Sequence, residues 1–527
     1  MQLLRLIEKK HNWIVFVFFV AFLFVGLIIF ENYGLSWDEG ISRDTGTINL
    51  NFVLGKNKDL LTYADADYGP AFEMFLVSAE KIFHISDSRN IYLMRHLITF
   101  LLFYVSVIFF YLLCKRQFKD WKWGLLGGLF LILSPRIFAN AFYNSKDLAF
   151  LSVFIISIYT LINYLDKATW LSAGWHAFVS ALLIDIRIMG VIVPVFTFCF
   201  VGLNIFKSFK SKSRKIKLQL ATVAFYGILL ILLTILFWPI LWDGPVHHFI
   251  EALRSMSKFR WSGTVLYLGS FVSSTTLPWH YIPVWIIITT PVLYTFSFLI
   301  GCIISSAAVL KKPFTVYTNN QKRNDAIFLL WFFLPLVAVI VLKSVVYDSW
   351  RQLFFVYPAF LLISLKGMVG LFNFIKLKLK GNLRKVSQAV LVIVVIVSLA
   401  STGIFMIKSH PYEHVYFNRL AGKNMTEVKD RFELDYWGLS YLQALAYILD
   451  NDQTETINVY SENYPGYLNQ QILPQIQRTR INYVSLENAT YFISNYRWHK
   501  EEYPYTNEFY SIKIDDANIM VVYNLTK

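Results

Sequence analysis

Residues 13–39 read WIVFVFFVAFLFVGLIIFENYGLSWDE, and this stretch decides what kind of molecule the chain makes. Positions 13–30 carry no polar side chain and are long enough to cross a hydrocarbon layer as a helix. Arg5, Lys9 and Lys10 precede the run, which places its start on the positive, inner side. The run is longer than a signal-peptide core, and no small-x-small cleavage site follows before Glu31, so it is expected to stay as a helix. Just beyond it stand Trp37, Asp38 and Glu39. Carboxylates beside lipid are expensive to place, so an acidic pair at the mouth of a first span points to function.

Working outward, the whole chain has the same character. Its 527 residues are 56% hydrophobic and only 16% charged, with mean hydropathy +0.48. Soluble domains carry about 25% charged residues, so this is a membrane composition. The net charge of +15 gathers in short loops: Lys115 to Lys122, Lys207 to Lys217, Lys311 to Arg323 and Lys376 to Lys385. That is the positive-inside pattern, and it argues against nucleic acid as a partner. Cys114, Cys199 and Cys302 all lie in or beside apolar segments, so no disulfide framework is expected.

Alternating basic and aromatic loops predicts eleven spans: 13–30, 92–113, 123–139, 148–164, 174–185, 188–206, 218–241, 282–309, 326–345, 353–370 and 387–407. The N-terminus is then cytoplasmic, the C-terminus outside, and the setting a cell (inner) membrane. Residues 31–91 form a long outer loop in which Phe72, Phe75, Leu76, Ala79, Ile82 and Phe83 recur at helical spacing. That spacing predicts an amphipathic helix lying in the interface plane. After Lys408 acids outnumber bases, and the sequence reads as a small α/β domain over 408–527. A helix is expected over 438–449 and strands over 456–460, 481–484, 491–493, 509–514 and 519–523. The fold class is therefore a polytopic α-helical membrane domain, 1–407, followed by an extracytoplasmic α/β domain.

The chemistry-bearing residues fall at the outer ends of spans. A carboxylate such as Asp38 or Glu39 next to a bound hydroxyl acts as a general base; the plain alternative is a solvated helix end. Arg136, Lys146 and Asp147 lie in one stretch, 134–147, that looks like an anion site, against ordinary snorkelling toward headgroups. Asp185 and Arg187 form a third turn and either pair with each other or meet a ligand. Arg351, opening the tenth span, is a further cation for phosphate or a lipid head. His247, His248 and His280 read as surface residues, and Asp65 with Asp67 as a cation site of low specificity. Carboxylates and cations around one outer cavity suit transfer from a phosphate-linked lipid donor.

An acidic pair after the first span, an interfacial helix in the first loop, and a Pro-Arg and Lys-Asp turn before the fourth span resemble the GT-C membrane glycosyltransferases. Within them the chain is most similar to the family 39-like branch of protein O-mannosyltransferases and aminoarabinose transferases, over residues 1–407. The resemblance implies a polyprenyl-phosphate sugar donor and an inverting single displacement, with Asp38 as base and Glu39 supporting it. It also implies Asp147 as the second acidic position, where metal-dependent members hold a divalent cation; here that cation stays open. The acceptor stays open as well among protein, glycolipid and polysaccharide. The family's doubled proline near the interfacial helix is replaced by Tyr68-Gly69-Pro70. Two rival readings are a transporter or flippase of a lipid-linked or anionic solute, and a polymerase or ligase using diphosphate-linked oligosaccharide. A transporter places charges near the midplane and shows repeated halves; this chain keeps its charges at the outer ends and shows no repeat.

Overall fold

The computed structural model describes residues 2–210, 212, 215–257, 260–310 and 319–526. Lys311, Lys312 and Arg214 of the basic loops lie outside the described residues, as do the side chains of Arg5, Lys9 and Lys10.

Among the described residues, eight helices are long and apolar enough to cross a membrane, and a bent pair adds a ninth. Two shorter apolar helices, Trp170–Ile184 and Val292–Ala307, complete the set at the positions expected from sequence. The outermost members, His11–Asn32 and Gly381–Ser409, are 17% and 11% buried, so their apolar sides face outward as lipid-facing helices do. Asp147–Asp166 and Arg351–Lys378 are 78% and 83% buried and form the centre of the bundle. Both of these central segments begin with a candidate site residue.

Two expected spans are broken. The segment expected to run straight over 123–139 splits into Trp121–Ile132 and Pro135–Tyr143, bent by 68°. Pro135 supplies no N–H and restricts Ser134, which ends one helix and starts another. The segment expected over 282–309 likewise divides into Tyr281–Thr289 and Val292–Leu310 around Pro291.

The outer loop holds two helices rather than one, Glu39–Val53 and Ala71–Ile82. The second is the expected amphipathic helix, and its sides divide in an informative way. Glu73 and Glu80 are buried, whereas Phe75, Ile82 and Phe83 are 57%, 70% and 70% exposed. Carboxylates pointing inward with rings pointing outward suit a helix with lipid on its open side. Inside, Glu73 pairs with Arg95, and Glu80 lies 3.0 Å from Arg43 and 3.5 Å from Arg95. A later loop carries the helix Pro245–Ser257 and a hairpin of strands β1 (Thr264–Tyr267) and β2 (Ser270–Ser273).

The C-terminal region folds into the expected α/β unit, with strands β3 (Ile457–Ser461), β4 (Ile481–Tyr483), β5 (Tyr491–Ser494), β6 (Glu508–Ile514) and β7 (Ala517–Asn524). Sheet order is β4-β3-β5-β7-β6, parallel through β4, β3 and β5 and antiparallel beyond, with Val459 opposite Tyr491 and Ile493 opposite Val522. Helix Tyr441–Asn451 buries Ala444, Leu445, Ile448 and Leu449 against this sheet. The domain also grips the turn that follows the first helix. Asn469 accepts from the Leu35 N–H at 2.8 Å and donates to Leu35 O at 2.9 Å, and Trp37 N–H donates to Trp437 O at 3.2 Å. Gly34 is required here, because a Cβ would lie 2.3 Å from Leu439 O.

Candidate active site

That grip sets the Asp38 turn. Ser36 N–H donates to Glu39 Oε2 at 2.7 Å, and Glu39 Oε1 lies 2.8 Å from His96 Nε2. Glu39 is 3% exposed and faces the helix Ser88–Phe118, while Asp38, one residue earlier, faces the other way with a side chain 26% exposed. Adjacent residues at a helix start project in different directions, so the acidic pair separates into one buried brace and one accessible carboxylate. Glu39→Gln, which still accepts from Ser36, is expected to keep turnover within about ten-fold of wild type while lowering thermal stability. Parallel kinetics and detergent-phase melting check this.

Arg351 is the hub of the site. Its Nη1 donates to Asp38 Oδ2 at 2.9 Å and to Asp147 Oδ2 at 3.3 Å, and its Nη2 donates to Asp348 Oδ2 at 3.2 Å. The guanidinium is buried between rings, 4.8 Å from the Tyr347 centroid and 4.6 Å from that of Trp437. Trp437 belongs to the C-terminal domain, so the stretch Glu433 to Gly438 does pack that domain onto the site. Asp348 and Ser349 adopt left-handed φ values of 53° and 64°, a conformation such residues hold only when their surroundings enforce it.

Asp147 starts its helix. Its N–H donates to Asn144 Oδ1 at 2.8 Å, Asn144 Nδ2 donates back at 2.9 Å, and its other oxygen pairs with Arg187. Ser145 donates to Glu73 at 2.5 Å, tying the Lys146–Asp147 turn to the outer-loop helix. Lys146 stands 5.1 Å from the Tyr68 ring centroid. Burial pushes the Asp38 carboxyl up, but the Arg351 guanidinium, with Lys146 and Arg187 behind it, outweighs burial and holds it below its ordinary value. Asp38 is therefore ionised at neutral pH.

The structure thus brings Asp38, Asp147, Lys146, Arg187 and Arg351 together, and leaves Glu39 behind the wall. It does not bring Arg136 to this cluster. The bend at Ser134-Pro135 turns Arg136 into the protein, where its guanidinium lies 5.2 Å from the Trp285 ring centroid and 4.6 Å from that of Phe417, and its Nε donates to Tyr416 O at 3.2 Å. Arg187 pairs with Asp147 and not with Asp185, whose two carboxylate oxygens are buried without a hydrogen-bond partner. Asp348 had a signal in the sequence, three residues before Arg351 on one turn. Arg497, which donates to Asp348 Oδ1 at 2.8 Å, had none, because only the folded C-terminal domain delivers it.

The same residues answer the divalent-cation question. Asp38 and Asp147 meet through one nitrogen of Arg351, so a guanidinium stands between them where a shared ion would sit. The residues do not fit a resident metal, and no step below uses one. Among the described residues, ligand atoms converge closely only at His247, His248 and Glu251, on the helix Pro245–Ser257.

A cavity of about 370 Å³ opens beside the cluster. Asp67, Tyr68, Gly69, Arg187 and Tyr347 line its polar end, with Asp67 paired to Arg260 at 2.6 Å, and Ile188, Ile192, Leu253, Ala338, Val339 and Leu342 its apolar length. The arrangement is a greasy channel ending in a guanidinium, two phenols and the Arg260-paired carboxylate of Asp67, with the ionised Asp38 next door. It is suited to a lipid carrying one anionic group at its end.

No family model matches this sequence, and no curated protein matches it. Solved structures similar to it include ArnT from Cupriavidus metallidurans in the apo state, at 12% identity and TM-score 0.49, covering 98% of each chain. The same protein bound to undecaprenyl phosphate matches at 13% identity and TM-score 0.45, covering 97% of this chain and 98% of that one. The apo oligosaccharyltransferase of Archaeoglobus fulgidus matches at 10% identity and TM-score 0.48, covering 87% of this chain and 62% of that one. At these identities and scores they carry no chemistry over to this chain, whose own residues have to supply it.

Proposed function

We propose that the chain is a membrane glycosyltransferase that moves a sugar from a polyprenyl-phosphate donor to an acceptor hydroxyl on the outer face of the membrane. What supports it is one juxtaposition: Asp38, ionised and partly accessible, shares Arg351 with Asp147, and Arg187, which pairs with Asp147, lines the polar end of an apolar cavity. The polyprenyl tail lies along Ile192, Leu253 and Leu342, and the phosphate meets Arg187, Lys146 and Arg351. Arg351 pairs with Asp38, Asp147 and Asp348, and Asp348 pairs in turn with Arg497, so the cations stand among carboxylates that fix their positions.

In the reaction the acceptor oxygen bonds to the anomeric carbon as the carbon–oxygen bond to phosphate breaks. The departing electron pair stays on the phosphate, where the guanidinium groups hold the extra charge, and the acceptor proton passes to Asp38. No covalent intermediate is needed, so the anomeric configuration inverts. The N-terminus is cytoplasmic and the C-terminal domain outside in this reading.

Arg187→Ala is expected to weaken polyprenyl monophosphate binding by about ten-fold or more, the loss of one charge-assisted contact. Titration of the purified protein with polyprenyl phosphate checks it. Unchanged affinity in both Arg187→Ala and Lys146→Ala would remove the phosphate from this end of the cavity.

A further inference from the structure

Asp38 has a second neighbour that the donor does not use. Trp37, directly before it, stands with two other aromatic side chains of the C-terminal domain. The Trp37 ring lies 6.0 Å from Tyr464 and 5.7 Å from Trp498, centroid to centroid. Tyr464 is 45% and Trp498 40% exposed, although the core that the C-terminal domain shares with the membrane helices is closely buried.

This shelf is built rather than left over. Trp498 Nε1 donates to Thr264 O at 2.9 Å, fixing the ring from the β1–β2 hairpin side. Tyr496 and Trp498 both take left-handed φ values of 60°, which large side chains avoid unless held there. The kink turns the intervening Arg497 inward, under Trp37 at 4.7 Å and Trp498 at 4.6 Å. Arg497 is 6% exposed and continues through Asp348 at 2.8 Å and Arg351 at 3.2 Å to Asp38 at 2.9 Å. The shelf and the base are thus held in fixed relation by one chain of ion pairs.

We propose that Trp37, Tyr464 and Trp498 form the acceptor subsite and that the acceptor is a saccharide. This rests on the glycosyl-transfer reading above. A sugar ring presents a face of weakly positive C–H groups, which matches the negative face of an aromatic ring, while its rim hydroxyls stay free. Seated on the shelf, such a ring offers one hydroxyl to Asp38: its oxygen bonds to the donor's anomeric carbon, its proton goes to Asp38, and the phosphate leaves with the bonding pair. A peptide acceptor would ask for main-chain partners, and an acyl chain for a continuous groove. The shelf is instead a set of rings with a buried cation beneath.

The test is calorimetric titration of the full chain, in detergent, with maltohexaose, cellohexaose, chitohexaose and a hyaluronan hexasaccharide, and with a Ser/Thr-rich peptide as comparison. Saturable binding of at least one saccharide is expected, weakened about ten-fold in Trp498→Ala and in Tyr464→Ala and largely restored in Trp498→Phe. Polyprenyl phosphate titrated into the same samples reports whether the donor cavity is intact, so a folding defect is separated from a lost subsite. Absence of saccharide binding, equal binding by Trp498→Ala, or displacement of the saccharide by the peptide overturns the proposal. Failure of polyprenyl phosphate to bind wild type, with saccharide binding intact, would instead count against the donor reading alone.

Discussion

Asp38→Asn is expected to lower the rate of transfer about a thousandfold while leaving polyprenyl phosphate affinity within a few-fold of wild type. A positioned general base contributes roughly 10²–10⁴ in rate, and the amide cannot take up the acceptor proton. On the proposed reading the donor should hardly notice, because its phosphate would be met by Arg187, Lys146 and Arg351, and its tail by the apolar cavity. Asn still accepts from Arg351 Nη1, so the hub stays in place and the fold is preserved. Comparison of single-turnover rates with equilibrium donor binding separates the two effects. A rate within ten-fold of wild type would pass the base role to another group.

Arg351→Gln is expected to be the most damaging substitution for stability and activity together. Asp147 and Asp348, with side chains 1% and 5% exposed, would lose the guanidinium between them. Asp147 keeps Arg187 and Asp348 keeps Arg497, so the loss is a part of the about 3–5 kcal/mol that stripping the sole partner from a buried charge costs. The melting midpoint in detergent should fall sharply, with Arg351→Lys intermediate, since an ammonium keeps the charge but not the fork.

The pH profile gives a second readout of the same substitution. Burial raises Asp38, and Arg351 together with Lys146 more than offsets it, so the folded value lies below the ordinary one. The stabilisation from Asp38 is therefore fully present above the ordinary carboxylate range and is lost as pH falls through the lower, folded value. Without Arg351 the folded value rises, and acid loss of activity should begin about one unit or more higher in pH. An acid limb that stays where it was would mean that Arg351 does not set the charge of Asp38.

Much of this architecture was legible in the sequence because membrane segments obey simple rules. Apolar length and basic loops place helices at all eleven expected positions, and period-two and helical patterns place the five strands and one helix of the C-terminal domain, but not its short helices Met425–Arg431, Tyr464–Asn469 and Gln475–Arg478. The breaks at Pro135 and Pro291 were not read, although each proline stood in plain view. A hydropathy window sees composition and not the missing N–H. The helix Glu39–Val53 was missed for a different reason, since its buried positions Ser42, Thr45, Gly46 and Asn49 are polar or small and give no apolar period.

The site divides in the same way. Asp38, Lys146, Asp147, Arg187 and Arg351 were singled out because charge at a span end is conspicuous, and they converge. Arg136 satisfied the same rule and lies elsewhere, because the Ser134-Pro135 bend turns it inward. Glu39, expected beside Asp38 as its support, is sent in a different direction by the helix start and braces the turn from within. Arg497, Trp498 and Tyr464 lie far along the chain in a domain of ordinary composition, and only tertiary docking through Asn469, Trp437 and the Gly34 turn carries them to Asp38.

The most direct test of the central reading is to offer purified wild-type protein a panel of polyprenyl-phosphate sugars, each labelled in the sugar, and to determine the anomeric configuration of the product. The reading expects one donor class to lose its label and the new glycosidic bond to be inverted relative to the donor. Retention of configuration would contradict direct displacement assisted by Asp38, and failure to discharge any monophosphate-linked sugar would contradict the proposed donor.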